Sequence, residues 1–157
     1  MYKRQIREVE SPKGFVLSEE EIPVTIGKVD EVVEIELVNE FITGNIELTK
    51  VDKDYPDNKL TGAVFEVFAD TNKNGEYDKE DELLGEMSEL GGGIYQMSEL
   101  RYGKYFVREK TAPEGFVLDE NVYTVSIEEN GKTYVVENEA GKGFVLSLIH
   151  ISEPTRL

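Results

Sequence analysis

The chain contains no cysteine, a single histidine and about half as many basic as acidic residues. Without cysteine it can form neither disulfides nor thiolate zinc sites. Its 33 acidic and 17 basic residues give a net charge of −16, and no stretch collects the Lys and Arg needed to neutralise phosphates. The composition therefore predicts no nucleic-acid partner and argues against binding to an anionic membrane surface.

Long apolar runs and long helical periods are also missing. No run approaches the roughly 20 apolar residues of a membrane-spanning helix, so we expect no membrane insertion of this fragment. Short alternating segments separated by turn residues predict seven β-strands, which suit a β-sandwich. These are Asn45–Asp52, Gly62–Ala69, Leu83–Met87, Gly93–Met97, Lys104–Glu109, Val122–Glu128 and Lys132–Asn138. Asn130-Gly131 predicts a tight hairpin between the last two strands.

Both ends of the chain resemble translated sequencing-adapter DNA, in residues 2–5 and 146–156. We therefore expect residues 1–5 and 146–157 to be adapter-derived and leave them out of the predicted fold. This also sets aside the one histidine, His150. Without it the sequence offers no histidine for a nucleophilic triad or a metal site.

An internal repeat organises the rest of the sequence. Residues 7–17 and 108–118 are near copies, 101 positions apart, and each is followed by an alternating apolar run that ends on an asparagine. The runs are Val33, Ile35, Leu37 and Asn39 in the first copy, and Tyr134, Val136 and Asn138 in the second. We predict the second half of one repeat at 6–40, a complete repeat at 41–139 and the start of a further linker or repeat at 140–145.

Alternation places three polar residues on apolar strand faces. Lys50 shares a face with Ile46 and Leu48, Glu109 ends a similar row, and Asn138 ends another. A buried lysine can lose its proton and become nucleophilic, while a buried carboxyl can hold one and act as an acid. Attack of the Lys50 amine on the Asn138 carboxamide, with Glu109 carrying protons, would release ammonia and leave an isopeptide bond. The alternative from alternation alone is three polar residues at strand ends, with Lys50 reaching out to solvent.

The motifs around these residues resemble the prealbumin-like B-type repeat domain of Gram-positive collagen adhesins and pilins. They are the segments 44–52, 60–67, 103–116 and 135–138, in the family's order, and the resemblance covers about residues 41–139. It implies an all-β, reverse immunoglobulin-like sandwich with an isopeptide site at Lys50, Glu109 and Asn138. Glu8 and Asn39 would belong to the incomplete site of the preceding repeat. It also implies an extracellular module of the Gram-positive cell wall.

A second motif follows the spacing of a calcium loop. Oxygen-bearing residues occupy the first, third, fifth, seventh, ninth and twelfth positions, with Gly75 at the sixth. They are Asp70, Asn72, Asn74, Glu76, Asp78 and Asp81. The twelfth position carries Asp where the motif prefers Glu, so either a weak calcium site or a plain acidic turn is expected. No cofactor is otherwise required.

These features favour a structural stalk module of a cell-wall-anchored adhesin or pilin, which performs a single cross-linking event and is not an enzyme with multiple turnovers. Its expected partners are neighbouring repeats of the same chain, with a host matrix or glycan ligand bound through other domains. One alternative is a module that itself binds such a ligand. Another is a carbohydrate-active enzyme using paired carboxylates, although chance pairs are common in so acidic a chain.

Overall fold

The computed structural model describes residues 2–136 and 145–147. These residues form two compact units, Met1–Ile42 and Thr43–Leu157. Strands and turns account for all the secondary structure in the described ranges, and none of it is a helix that could cross a membrane.

The first unit is built on one antiparallel ladder. Strand β1, Tyr2–Arg7, pairs with β2, Glu21–Ile26. The connection between them contains a turn that is closed by a hydrogen bond from Phe15 N to Pro12 O. Residues 2–5 form most of β1, so the expectation that they lie outside the fold is wrong, while their adapter origin stays a prediction.

The alternating run of the first unit is not a strand. Val33, Ile35 and Leu37 lie in an irregular segment and keep 36–41% of their surface exposed. A strand needs a ladder partner and an opposing apolar face. Because the described part of this unit contains only the β1–β2 sheet, the run has no second sheet on which to bury its apolar side chains.

The second unit is a β-sandwich of two sheets. In the first sheet the strand order is β10-β3-β7-β6, with β11 also paired to β3; in the second it is β5-β4-β8-β9. The strands are β3 (Thr43–Asp52), β4 (Val64–Ala69), β5 (Glu82–Glu86), β6 (Ser88–Gly91), β7 (Ile94–Arg101), β8 (Gly103–Thr111), β9 (Val122–Ile127), β10 (Thr133–Val135) and β11 (Val145–Ser147). The predicted all-β sandwich is confirmed, with β6 and β11 added to the seven predicted strands.

The predicted hairpin at Asn130-Gly131 is wrong. The turn forms, but β10 does not pair with β9; it crosses to the other sheet and runs parallel to β3. Asn130 Oδ1 accepts a hydrogen bond from Thr43 N, and Gly131 N donates to Thr43 O. The turn is therefore bonded to the start of β3, which directs β10 along β3 instead of back along β9.

The core lies between the two sheets. Inward residues of β3 and β7 meet those of β4, β8 and β9. Phe65 and Tyr95, one from each sheet, pack edge to face with ring centroids 5.0 Å apart. The fully buried side chains are Tyr95, Lys50, Phe65, Phe106, Ile46, Leu48, Ile127, Val51, Val67, Val107 and Val136. A lysine is thus among the most deeply buried residues of an otherwise apolar interior.

Candidate functional site

Lys50 is held in β3 through both of its backbone polar groups. Its N–H donates to Gly93 O at 2.8 Å, and its carbonyl accepts from Leu60 N at 2.9 Å. Gly93 has a φ of +75°, and a Cβ there would lie 3.0 Å from both Lys50 O and Leu60 N. Only glycine fits this close approach without a shift of backbone. The backbone on either side of Lys50 is therefore fixed while its side chain points into the sandwich.

Glu109 reaches the same point from the opposite sheet. It lies on β8 directly across from Phe65 of β4. Its neighbour Arg108 points the other way, and its Nε and Nη2 donate to Glu66 Oε2 at 3.1 and 3.0 Å. Strand alternation thus separates an outer charged pair, partly open to solvent, from an inner carboxylate that is shielded from it.

Lys50 and Glu109 form an ion pair across the sandwich. Lys50 Nζ lies 3.2 Å from Glu109 Oε1, and both side chains are 0% exposed. Glu109 Oε2 accepts a hydrogen bond of 2.6 Å from Asp119 N. The pair therefore joins β3 of one sheet to β8 of the other. The connection after β8 holds the carboxylate through the backbone N–H of Asp119.

Burial dominates the electrostatics of this pair. Desolvation lowers the pKa of Lys50 and raises the pKa of Glu109, and in each case it outweighs their mutual attraction, which acts in the opposite direction. Both shifts favour the uncharged forms. A neutral amine next to a carboxylic acid is a nucleophile next to a proton donor, which is the chemistry that acyl transfer to an amine requires.

The surroundings of the pair are largely apolar. The Phe65 ring centroid lies 5.7 Å from Lys50 Nζ. Tyr95, fully buried beside Phe65, uses its hydroxyl locally: it accepts from Ala63 N and donates to Leu60 O, both at 3.1 Å. With this hydroxyl committed to backbone groups, the ion pair lies in a region of low polarity.

Sequence reasoning missed Asp119, which bonds to Glu109, and Tyr123, which bonds to Asp119. Asp119 supplies the backbone N–H described above, and its carboxylate accepts hydrogen bonds from the Tyr123 hydroxyl and from Asn121. Burial, and then the bond to Asp119, raise the pKa of Tyr123. The available signal was the repeat itself, because both copies place a polar residue ten positions after the glutamate, Ser18 and Asp119.

The first unit contains the matching half of the site. Glu8 Oε2 accepts hydrogen bonds of 2.7 Å from Ser18 N and from Asn39 Nδ2. Asn39 Nδ2 also donates to Val16 O at 3.1 Å. The structure therefore brings Glu8 and Asn39 into contact although they are 31 positions apart in sequence. In the second unit Lys50 and Glu109 meet, whereas Asn138 lies outside the described residues.

The predicted calcium residues occupy the loop between β4 and β5. Asp78 Oδ2 accepts from Asn72 Nδ2 at 3.0 Å and from Asn74 Nδ2 at 2.6 Å. Gly75 N donates to Asp70 Oδ2, and Asp78 N donates to Asp81 Oδ2. The Glu76 N–H donates to Asn74 Oδ1. Across the described ranges, no three acidic or histidine side chains converge as a metal site by themselves.

The sandwich matches the family model of the SpaA prealbumin-like fold domain, over residues 44–142. The chain belongs to this family. The match covers the strand that carries Lys50 and the strand that carries Glu109, and it confirms the prealbumin-like fold expected from the motifs. No curated protein sequence is detectably similar to the chain.

Two solved structures share the fold of this SpaA-type chain. The TIE protein of Bacillus anthracis superposes with a TM-score of 0.78 at 26% identity, over 94% of this chain and 25% of its own length. BcpA, the major pilin subunit of Bacillus cereus, superposes with a TM-score of 0.52 at 25% identity, over 86% of this chain and 35% of its own length. The chain thus spans about a quarter to a third of these proteins.

Proposed function

We propose that the second unit is a shaft module of a Gram-positive surface protein, locked by an isopeptide bond between Lys50 and Asn138 with Glu109 as the proton-transfer residue. The observation that carries this proposal is the Lys50–Glu109 pair, 3.2 Å apart and wholly excluded from solvent. A buried ion pair alone is weak support for stability, because desolvation of both charges offsets their attraction. A reactive role explains why a lysine is present in this core.

The direction of β10 along β3 supports Asn138 as the third member of the site. β10 runs parallel to β3 and pairs residues 133, 134 and 135 with 45, 46 and 47, a constant offset of 88. Val136 N continues this ladder by donating to Glu47 O. This ladder carries the chain along β3 in the direction of Lys50, and the position paired with Lys50 itself is held by Val145 of β11.

The first unit provides a second argument. There, the glutamate of the motif receives a hydrogen bond from the asparagine that corresponds to Asn138. A glutamate held between a lysine and an asparagine can exchange protons with both. The two contacts, Lys50 with Glu109 and Asn39 with Glu8, are the two halves of the arrangement that the reaction needs.

In the proposed reaction a proton passes from the Lys50 ammonium to the Glu109 carboxylate. The neutral amine then attacks Cγ of Asn138, while the Glu109 acid donates its proton to the carbonyl oxygen. Collapse of the tetrahedral intermediate breaks the bond from Cγ to Nδ2. Glu109 moves a proton from the lysine nitrogen to the leaving group and then carries the carbonyl proton to the released ammonia, so that one ammonium ion departs and one amide bond is formed. The reaction needs no further reactant, and Glu109 ends as a carboxylate, as it began.

The bond would connect the beginning and the end of the sandwich. By analogy with disulfides, closing a loop of this length stabilises the folded state by about 4–5 kcal/mol. Tension applied along the chain would pass through the covalent bond, which leaves most of the strands unloaded and slows forced unfolding. Such a module suits an extracellular stalk, with neighbouring repeats as its partners. The ligand-binding alternative stays a prediction from the sequence.

The deciding experiment is an intact-mass measurement on the full chain and its Glu109→Gln variant, which keeps the size of the side chain but cannot carry the proton. We expect the parent to be lighter than its sequence mass by one ammonia and the variant to have full mass. Peptide mapping of the parent should give one branched peptide that joins Lys50 to Asn138.

Glu8→Gln is the matched control. It makes the same change at the equivalent glutamate of the first repeat copy, which takes no part in the proposed reaction of Lys50. It should retain the ammonia deficit of the parent. Circular dichroism of each variant establishes that it is folded before its mass is interpreted. Full mass in the folded parent would rule out the cross-link, and a deficit that survives Glu109→Gln would rule out the role of Glu109.

A further inference from the structure

We propose that the loop between β4 and β5 is a calcium site, in which Asp70 and Asp81 anchor one Ca²⁺. The loop spans residues 70–81 and we call it the acidic loop. This inference stands apart from the cross-link, since it involves neither Lys50 nor Glu109. Acidic residues with calcium-like spacing are common in turns, but two buried carboxylate oxygens distinguish this loop.

The two anchor carboxylates each have one oxygen without a hydrogen-bond partner. Asp70 Oδ1 and Asp81 Oδ1 are both buried from solvent and accept no hydrogen bond within the described part of the chain. Asp81 as a whole is only 8% exposed. A buried carboxylate oxygen without a donor is costly and calls for an explanation, such as an ion.

The second oxygen of each anchor is fixed by the loop. Asp70 Oδ2 accepts from Gly75 N at 2.9 Å, and Asp81 Oδ2 accepts from Asp78 N at 2.8 Å. Each carboxylate therefore uses one oxygen to hold the loop backbone and keeps the other for a ligand. This division suits the first and last positions of a calcium loop, which supply carboxylate ligands.

The strand pairing explains why an aspartate can serve at the twelfth position. Ala69 of β4 pairs with Glu82 of β5, and Glu82 N donates to Thr71 Oγ1 at 3.0 Å. These bonds bring the two ends of the acidic loop together. A calcium loop between helices needs the longer glutamate to reach the ion; a loop closed by a β-ladder already has its last residue close to its first.

The remaining positions offer neutral and charged oxygens. They are the amide oxygens of Asn72 and Asn74, the main-chain carbonyl of Glu76 and the carboxylate of Asp78. In the described ranges no three acidic side chains converge as a metal site, so the Asp78 carboxylate would have to move to join the two anchors. The amide groups of both asparagines donate to Asp78 Oδ2, so an ion at Asp78 must displace these donors. We therefore expect a Kd in the range of extracellular calcium modules, about 10⁻⁴–10⁻³ M.

The loop is also anchored to the sheet below it. Tyr77, within the loop, packs edge to face on Phe68 and Phe106, with ring centroids 4.9 and 5.9 Å apart. The Arg108 guanidinium lies over the Phe68 ring at 5.1 Å. Calcium binding should therefore stabilise β4 and β8 together with the loop, and its effect should be visible in the unfolding of the second unit.

The test is a calorimetric titration of the full chain with CaCl₂, together with its Tm in calcium and in EDTA. We expect one calcium per chain, and a rise in Tm of about 4–8 °C once free calcium is about five times Kd. Asp81→Asn should weaken calcium binding by at least about tenfold, since it removes one of the two anchoring charges. Asp70→Asn should do the same and serves where Asp81→Asn fails to fold.

Glu82→Gln is the matched control. It removes the same charge at the neighbouring position, where the side chain is exposed, and it should bind calcium as the parent does. The proposal is overturned if about 10 mM calcium gives neither heat nor a change in Tm. It is also overturned if folded Asp81→Asn or Asp70→Asn keeps the Kd of the parent, or if magnesium gives an equal rise in Tm.

Discussion

The two units contain copies of the same hairpin but differ in what covers it. In both, the ladder has the same register: Tyr2 pairs with Ile26 as Gly103 pairs with Ile127, each 101 positions later. Both copies close the turn with a hydrogen bond from phenylalanine N to proline O at 3.0 Å. The same local sequence therefore forms the same hairpin twice, once beneath an opposing sheet and once without such a sheet in the described residues.

The glutamates of the two copies show what the opposing sheet adds. Glu8 and Glu109 both accept a backbone N–H from ten residues downstream. Glu109 faces a second sheet, where burial raises the pKa of its carboxyl and a lysine lies against it, whereas the described part of the first unit has no second sheet over Glu8. The motif supplies the carboxylate and its orientation, while desolvation by the second sheet supplies the shift in its pKa.

The largest expected effect comes from removing the proposed cross-link. Lys50→Met keeps the length of the side chain but removes the amine, so the parent and the variant should differ by the stabilisation from loop closure, about 4–5 kcal/mol. Denaturant unfolding measures this difference. Lys28→Met, in the first unit, should unfold like the parent. Equal midpoints for Lys50→Met and the parent would mean that packing alone holds the sandwich.

Truncation of a leucine in each unit tests the difference in packing. Leu48 is 0% exposed and Leu37 is 36% exposed. Leu48→Ala should cost about 2–5 kcal/mol in free energy of unfolding, because it leaves a cavity in a packed core. Leu37→Ala should change it by less than about 0.5 kcal/mol. Similar losses from the two variants would show that the irregular run of the first unit is packed after all.

Replacing Asp119 by serine makes the second repeat copy resemble the first, which has Ser18 at the equivalent position. Asp119→Ser keeps the backbone N–H that holds Glu109 and removes the carboxylate that accepts from Tyr123. We expect a loss of about 0.5–1.5 kcal/mol in unfolding free energy, with the ammonia deficit unchanged in the intact mass. A variant that regains full mass would give the Asp119 carboxylate a role in the cross-linking step.

The smallest effect concerns alkaline pH. Burial and the bond to Asp119 raise the pKa of Tyr123 in the folded state above its ordinary value of 10.0. The folded state therefore binds the proton more tightly, and this contribution to stability is complete below pH 10 and lost as the pH rises further. In denaturant unfolding from pH 9 to 11, Tyr123→Phe should lose less stability than the parent. Parallel pH profiles would contradict this reasoning.

Alternation and turn residues predicted much of the sandwich. The predicted strands in the regions of β3, β4, β8 and β9 overlap those of the structure, because their residues alternate between the core and the outer face. β6 was missed because all four of its residues are exposed and carry no apolar pattern. The course of β10 was also mistaken, since an Asn-Gly turn is compatible with a hairpin and with a crossover between sheets.

The candidate site was likewise predicted only in part from the sequence. Alternation on single strands placed Lys50 and Glu109 on inward faces, but it could not show that these two strands belong to opposite sheets. Neither could it find Asp119, whose contribution is a backbone N–H, a group that every residue except proline carries. The calcium spacing was visible in the sequence, whereas the two buried oxygens without partners emerged only from the folded loop.

The sequence by itself determined the strands, the repeat and the hairpin register, since these depend on the order of apolar and turn residues over short distances. Only the tertiary structure decided which faces oppose each other. That choice depends on contacts between distant segments, such as Lys50 with Glu109, and it sets the solvent exposure of each charge. Because exposure controls the protonation of an amine and a carboxyl, the chemistry that we propose for this chain depends on the packing of the two sandwich sheets.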